Sequence, residues 1–130
     1  MKSIFIYSLC LLMYSFSMQS QTLDCAKFKT GKFQYPGLED KYSVRNETTQ
    51  LSYNHGNLEM IWKVKWLNEC EYELTCMKVL VKPYPIFKGD KIHATIIQTE
   101  GDCFTTKIIF YNKEYPKGQT FPQAQMCIAK

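Results

Sequence analysis

The sequence lacks most of the features that mark the commoner functional classes. It has only two histidines, His55 and His93, and no C-x-x-C motif, so zinc modules and thiol redox motifs have little support. Its basic residues alternate with acidic ones instead of forming a run, which argues against nucleic-acid or membrane-surface binding. No apolar run reaches the roughly 20 residues that a membrane-spanning helix needs. Internal repeats, low-complexity tracts and long linkers are also absent.

The longest apolar run lies near the N-terminus and is typical of a secretion signal. Lys2 supplies a short basic start, and "IFIYSLCLLMYSF" (4–16) is the apolar segment. The small and polar residues that follow favour cleavage after Ser17 or Ser20. We therefore expect residues 1–20 to be a signal peptide and residues 21–130 to form a single β domain, secreted or periplasmic. Without Lys2 the formal net charge of +4 falls to +3, which indicates a soluble chain and little more.

Cysteine usage points to disulfides. The expected mature chain contains Cys25, Cys70, Cys76, Cys103 and Cys127. An exported chain meets oxidising conditions, so these residues are expected to pair. Because their number is odd, at most two disulfides form and at least one thiol is left over. The spacing from Cys70 to Cys76 fits no common zinc module, and we predict neither a metal site nor a cofactor.

Alternation of apolar and polar residues, the pattern of half-buried strands, recurs along the chain. It is clearest in "LEMIWKVKWL" (58–67), where Met60, Trp62 and Trp66 share one face while Lys63 and Lys65 lie on the other. The β-branched and aromatic residues of this segment also favour a strand. We predict a mostly β fold, an antiparallel meander of six to eight strands that curls into a small lipocalin-like barrel or half-barrel.

Two hairpins around this segment can be paired so that their apolar faces coincide. The upstream turn, "NHGN" (54–57), gives the pairs Tyr53–Leu58, Leu51–Met60 and Thr49–Trp62. A three-residue loop over 68–70 gives the downstream pairs Trp66–Tyr72, Val64–Leu74, Trp62–Cys76 and Lys65–Glu73. Both registers place the apolar residues on one face, and they predict a three-stranded antiparallel meander.

The two cysteines of the downstream hairpin point in different directions. Cys76 belongs to the apolar face, whereas Cys70 lies at the apex of the tight loop, which argues against a bridge between them. Cys70 is better placed to reach a distant segment, and the natural candidate is Cys25, just before the predicted strand "GKFQY" (31–35). For Cys103 the candidate partners are Cys76 and Cys127, and we take Cys76–Cys103 as the candidate second pair.

The second half of the chain predicts a loop, a hairpin and a short last strand. Pro83 and Pro85 exclude a central strand over 82–90. The segment 91–112 predicts a hairpin with two open registers. A Glu100–Gly101 turn places Ile97 opposite Phe104, whereas a loop over 100–102 gives the pairs Ile96–Thr106 and Ala94–Ile108. The tail is expected to be loop until a strand around 124–128.

Three segments together resemble a family of small exported bacterial β-rich proteins. They are "CAKFKTGKFQY" (25–35), "YSVRNETTQLSY" (42–53) and "VKWLNECEYEL" (64–74). The family pattern combines C-x-x-F-K-T-G, an arginine-bearing second strand and W-x-N/D-x-C-x-Y/F-x-L. Its motif positions are occupied by Arg45, Trp66, Cys70 and Tyr72. The resemblance covers residues 25–110, implies export and the Cys25–Cys70 pairing, and supplies no activity. The label topoisomerase IV, which some members carry, requires a large multidomain chain that this sequence does not provide.

Few side chains are candidates for a functional site. His55 lies in a turn and His93 on a strand whose face is unassigned, so both are expected to be solvated or structural. No Ser–His–Asp set or Cys–His pair comes together in the strand arrangement, and we predict that the protein is not an enzyme. Weak candidates for ligand binding are interior aromatic residues and one arginine: Arg45, Trp62, Trp66 and Tyr72.

Two functional hypotheses follow. The first is an exported, disulfide-stabilised, non-enzymatic β domain that binds a small apolar ligand inside its barrel. The second is a protein-interaction or envelope-associated module with a solid core. The candidate partners are thus a small apolar ligand or an envelope protein, with no nucleic acid and no stable membrane insertion. An interior cavity of about 300 Å³ or more favours the first hypothesis, and a filled interior favours the second.

Overall fold

The structure is a computed structural model that describes residues 23–130. The expected signal peptide lies outside the described residues. Eight antiparallel strands form a closed barrel in which each strand pairs with the next and β1 pairs with β8. The strands are β1 (Gly31–Tyr35), β2 (Leu38–Arg45), β3 (Thr49–Asn54), β4 (Asn57–Trp66), β5 (Glu71–Val79), β6 (Lys91–Glu100), β7 (Cys103–Tyr111) and β8 (Gln119–Ile128). A 3-10 helix, Ala26–Phe28, precedes them. The predicted small antiparallel barrel is confirmed.

The connections alternate between two ends of the barrel because the strands run up and down in chain order. We call the end that carries the 3-10 helix and the β2–β3, β4–β5 and β6–β7 turns the closed end. Phe28 from the helix is fully buried there, with its ring centroid 4.7 Å from that of Phe104. We call the opposite end, with the long β5–β6 connection over 80–90, the open end.

The strand alternation places one set of side chains inside the barrel. On β4, Met60, Trp62 and Val64 are buried while Lys63 and Lys65 between them are exposed. The neighbouring strand β5 shows the same alternation, and its buried residues are Tyr72, Leu74 and Cys76. Burial of such apolar residues supplies most of the driving force for folding. The predicted apolar face of this hairpin is therefore the inner wall of the barrel.

The β4–β5 hairpin has the predicted register at every predicted pair, and a bulge between Ile61 and Trp62 shifts the register only beyond them. All four expected pairs are present: Trp66–Tyr72, Lys65–Glu73, Val64–Leu74 and Trp62–Cys76. Two chain features explain why this prediction works. The loop over 68–70 is short, and its Asn68 side chain accepts a hydrogen bond from the Cys70 backbone N–H at 3.0 Å, which favours a tight reversal.

The β3–β4 register is predicted correctly only at its tip. His55 and Gly56 form the two-residue turn, with φ values of 50° and 76° that this turn type requires, and Tyr53 pairs with Leu58. A bulge between Ser52 and Tyr53 then shifts the register by one residue. The predicted Leu51–Met60 and Thr49–Trp62 pairs are therefore wrong. The observed pairs are Ser52–Met60, Leu51–Ile61, Gln50–Trp62 and Thr49–Lys63.

The β6–β7 hairpin resolves the open register in an unexpected way. Its body has the pairs Ile96–Thr106 and Ala94–Ile108. Its tip, however, is a two-residue turn at Gly101–Asp102 with Glu100 opposite Cys103. An irregularity between Ile96 and Gln98 absorbs the one-residue difference. The last strand starts at Gln119, earlier than predicted, because it pairs with β7 along most of its length.

Two disulfides hold the described chain. The predicted Cys25–Cys70 bond joins the start of the 3-10 helix to the β4–β5 loop across a sequence separation of 45 residues. The second disulfide joins Cys103 to Cys127, which face each other on β7 and β8. The candidate Cys76–Cys103 pair is wrong because β6 lies between their strands. Cys76 is a buried free thiol.

Candidate ligand-binding site

The barrel interior contains a cavity of about 200 Å³. It lies above the closed-end aromatic cluster and below the connection over 80–90, which contributes Tyr84 and Ile86 to its lining. Four strands contribute the polar lining residues Ser43, Arg45, Gln50, Ser52, Tyr72 and Thr106. The interior is thus neither filled nor wholly apolar, and the cavity is smaller than the roughly 300 Å³ that commonly marks a ligand pocket.

Arg45, at the end of β2, forms the floor of this cavity and is only 2% exposed. Its Nε donates to Gln50 Oε1 at 2.8 Å, one Nη to the Phe28 carbonyl oxygen at 3.1 Å, and the other Nη to Tyr72 Oη at 3.1 Å. All three acceptors are neutral. Within residues 23–130, no carboxylate forms an ion pair with this guanidinium.

Aromatic rings surround the guanidinium on its closed-end side. The guanidinium carbon lies 4.3 Å from the ring centroid of Tyr72, 5.1 Å from that of Phe33 and 5.8 Å from that of Trp66. Each contact stabilises the cation by about 0.5–2 kcal/mol, because the faces of aromatic rings carry negative charge density. The rings reduce the free-energy cost of burying the guanidinium, but they do not neutralise its charge. Full compensation of a buried charge requires an opposite charge.

Three of the four predicted ligand-binding residues line the cavity, namely Arg45, Trp62 and Tyr72. Trp62 is held in place by a hydrogen bond from its Nε1 to Ser52 Oγ at 3.2 Å. Trp66 does not line the cavity. It lies beneath it with its ring centroid 4.7 Å from that of Tyr72, and its buried Nε1 has no hydrogen-bond partner among the described residues.

Gln50, Tyr35 and Tyr84 are lining residues that the sequence reasoning missed. The predicted pairs Leu51–Met60 and Thr49–Trp62 imply that Gln50 faces outward, and the extra residue in β4 at the bulge reverses this, so that Gln50 pairs with Trp62. Burial raises the pKa of the Tyr35 hydroxyl, with further contributions from Tyr72 and Tyr84 that outweigh the opposing effect of Arg45. Burial also raises the pKa of Tyr84, and Glu59 adds to this effect. Both phenols are therefore neutral near pH 7 and can donate hydrogen bonds.

A second cavity of about 280 Å³ opens at the open end of the barrel. It shares five lining residues with the inner cavity, which are Tyr35, Ser43, Ser52, Met60 and Tyr84. Tyr84 comes from the β5–β6 connection, whereas the other four belong to the barrel wall. Tyr84 therefore separates the inner cavity from the barrel mouth. A movement of the connection over 80–90 would displace it.

A third hollow lies outside the barrel. It measures about 710 Å³ and runs between the end of β5 and the connection over 80–90. Apolar residues dominate its lining, and Met77 and Phe87 are 45% and 69% exposed. Lys78, Lys82 and Lys88 also line this groove, but all three are exposed, so among residues 23–130 it contains no buried charge like that of the barrel interior.

The two histidines lie away from the cavity. His55, in the exposed β3–β4 turn, contacts Asp40 at 3.3 Å, and His93, on the outer face of β6, contacts Glu71 at 3.1 Å. Within residues 23–130, no three His, Cys, Asp or Glu side chains are grouped as metal ligands. In the same part of the chain, no helix has the length and apolar character needed to cross a membrane.

The fold and the cavity together define a small antiparallel barrel with a cation at the floor of a partly polar interior. Comparison with protein-family models, curated proteins and solved structures finds no match to this chain.

Proposed function

We propose that the protein is an exported, non-enzymatic binding protein that holds a small ligand inside its barrel. The observation that carries this proposal is the lining of the interior cavity, a buried cation with neutral polar groups, since the volume of about 200 Å³ lies below the roughly 300 Å³ that would favour binding by size alone. If the barrel had only a structural role, apolar side chains filling this space would make it more stable. Cavities and unneutralised buried charges both lower the free energy of unfolding.

The lining favours binding over catalysis. The cavity wall, as seen in residues 23–130, contains no histidine, cysteine or carboxylate, the side chains that most often act as general bases or nucleophiles. Export is supported by the apolar N-terminal run and by the two disulfides, which are typical of oxidising compartments. Membership of the exported bacterial family stays a prediction from the sequence motifs.

The inner cavity sets the size of the ligand. Its volume is close to that of about seven water molecules in the liquid, at roughly 30 Å³ each. A molecule of this size fills the inner cavity alone, and a longer one passes Tyr84 into the outer cavity of about 280 Å³. Small or medium-sized molecules are therefore favoured over bulky lipids.

Native mass spectrometry of protein purified from its own compartment tests the proposal. We expect a retained small-molecule mass on the wild-type protein and its loss in Ala124→Leu, because Ala124 lines the cavity and the larger side chain fills it. Gln125→Leu is the matched control, since Gln125 is the exposed neighbour on the same strand. Wild-type protein without a retained mass, or equal retention in both variants, contradicts binding in the interior.

A protein-interaction module is the second candidate function, and the outer groove is the observation that favours it. Exposed apolar side chains such as Met77 and Phe87 around a hollow of about 710 Å³ are typical of contact surfaces. The same mass spectra address this candidate. It predicts a co-purifying protein that disappears in the Met77→Ser/Phe87→Ser double variant while the Ala124→Leu variant keeps it.

A further inference from the structure

The barrel interior brings together hydrogen-bond donors that have no acceptor among residues 23–130. Arg45 uses three of its N–H groups on neutral acceptors, and a guanidinium carries about five of them. Gln50 accepts through Oε1, which fixes the orientation of its amide and leaves the NH2 group as a donor. Tyr72 Oη accepts from Arg45, so the hydroxyl proton remains to be donated. All three residues line the same cavity.

We propose that the ligand is a small amphiphile with a carboxylate group that binds Arg45, Gln50 and Tyr72 at the floor of the cavity. This inference rests on the proposed function as a binding protein. A carboxylate presents two oxygen acceptors in one plane, the geometry that a guanidinium recognises best. It also supplies the negative charge that the buried Arg45 lacks in the described chain.

The remaining wall requires an apolar tail. Above the floor the cavity is lined mainly by aliphatic and thioether side chains, among them Leu74, Ile92, Ile108 and Met126. A bare inorganic anion leaves this apolar surface in contact with water. A neutral apolar molecule leaves the hydrogen-bond donors at the floor unpaired, and unpaired donors in a buried site cost free energy. A carboxylate joined to a short hydrocarbon chain satisfies both parts of the wall, with its tail directed at Tyr84 and the open end.

Isothermal titration calorimetry with three eight-carbon probes tests the head group. We expect octanoate to bind wild-type protein at least 10-fold more tightly than octanol near pH 7, and octylamine to bind more weakly than octanol because its cation meets Arg45. Octanol binding as tightly as octanoate overturns the carboxylate inference and leaves the proposed function standing. Failure of all three probes, together with their hexyl and decyl homologues, overturns both.

A Gln50→Glu variant tests the role of Arg45 without removing it. The two side chains have nearly the same shape, and the new carboxylate lies where Oε1 already accepts from Arg45 Nε at 2.8 Å. The new carboxylate then neutralises the Arg45 charge. We therefore expect octanoate affinity to fall at least 10-fold while octanol affinity changes less than 3-fold. Gln125→Glu, which adds the same charge on the exposed face of β8, is the control, and we expect its octanoate affinity to stay within 3-fold of that of the wild type. Unchanged octanoate affinity in folded Gln50→Glu protein overturns the inference.

Discussion

The two ends of the barrel are held together by different means. The closed end carries both disulfides, the buried Phe28 and an ion pair of 3.0 Å between Lys27 and Asp102 that ties the helix to the β6–β7 turn. The open end, as described, has no disulfide. Its longest connection, over 80–90, contacts the barrel through single side chains such as Tyr84 and through hydrogen bonds to Cys76.

This difference places the residues that would bind the ligand at one end of the barrel and the route by which it would enter at the other. Arg45 and its partners lie at the closed end, where covalent bonds and packing hold their geometry, as a preorganised binding site requires. Entry lies at the open end, where the connection over 80–90 can move without breaking a covalent bond or a strand pair. Segments with few buried contacts usually have the lowest local stability, so we expect the open end to open first.

The largest expected effect concerns the closed end. Replacing Cys25 and Cys70 with alanine removes a cross-link over 45 residues, and the chain-entropy relation gives a loss of about 4 kcal/mol in the free energy of unfolding. Removing Cys103 and Cys127 opens a shorter link of 24 residues between strands that already pair, and the expected loss is about 3.4 kcal/mol. Urea unfolding followed by tryptophan fluorescence measures both losses.

Both disulfide variants need a background without the third thiol. Cys76→Ala supplies it, because the free Cys76 thiol could otherwise form a non-native bond with a newly unpaired cysteine. A thiol count under denaturing conditions then confirms that the remaining disulfide is intact. If the variants without Cys25 and Cys70 unfold at the urea concentration of their parent, covalent cross-linking does not account for the stability of the closed end.

The next effect in size concerns the boundary at the open end. Tyr84→Ala removes a half-buried ring that lines both cavities, and we expect stability to fall by only about 1–2 kcal/mol because the residue is not fully buried. Dissociation of a bound probe should become roughly 10-fold faster, which corresponds to about 1.4 kcal/mol. Stopped-flow displacement measures this rate.

Phe87→Ala is the matched control for the Tyr84 variant. Phe87 belongs to the same connection and its side chain is 69% exposed, but it does not line the inner cavity. We expect the dissociation rate of this variant to match that of the wild type. Equal acceleration in both variants would mean that the whole connection, and not Tyr84, limits release.

The sequence predicts the regular hairpins of the barrel well and its irregular segments poorly. The β4–β5 hairpin is predicted pair by pair because a tight loop and strong alternation act together on Trp62, Val64 and Trp66. Bulges break this logic, since an extra residue, such as Glu59 of β4 between the pairs Tyr53–Leu58 and Ser52–Met60, changes which side chains face inward without changing composition. The family motif made Arg45 a candidate, whereas its partner Gln50 depends on the bulge and was not predicted.

Two further features escaped prediction for related physical reasons. Pro122 and its polar neighbours interrupt the alternation of β8, so the strand was predicted too short and the Cys103–Cys127 pair could not be favoured over its alternative. Tyr84 lies in an irregular connection, where no periodicity indicates which side chains point into the barrel. In both cases contacts between residues far apart in the sequence determine the structure, and local sequence patterns do not report such contacts.

The smallest expected effect is a pH dependence that reports on the open end. Burial raises the pKa of the Cys76 thiol, a backbone hydrogen bond from Lys78 opposes this, and Asp90 adds to the rise. The folded state therefore keeps a proton that the unfolded state loses above its ordinary pKa of 9.0. This contribution is fully present below that pH and declines as the pH rises through it. Urea unfolding at pH 7.5 and pH 9.5 should show a larger drop for the wild type than for Cys76→Ala.

The contribution of Cys76 can be isolated because other groups titrate alike in both proteins. Tyr35 and Tyr84 have pKa values raised above 10.0 and destabilise the fold in the same direction at still higher pH, but Cys76→Ala leaves them unchanged. Cys76 accepts from Gly89 N–H and donates to the Asp90 carbonyl oxygen through its backbone, at 2.8 Å each, and Asp90 also raises the pKa of the thiol, so the connection over 80–90 lies against Cys76. If that connection lifts readily, water reaches the thiol in the folded state and the two pH slopes converge. A larger drop for the wild type together with slow thiol labelling at pH 7.5 would instead mean that this connection stays closed against the barrel.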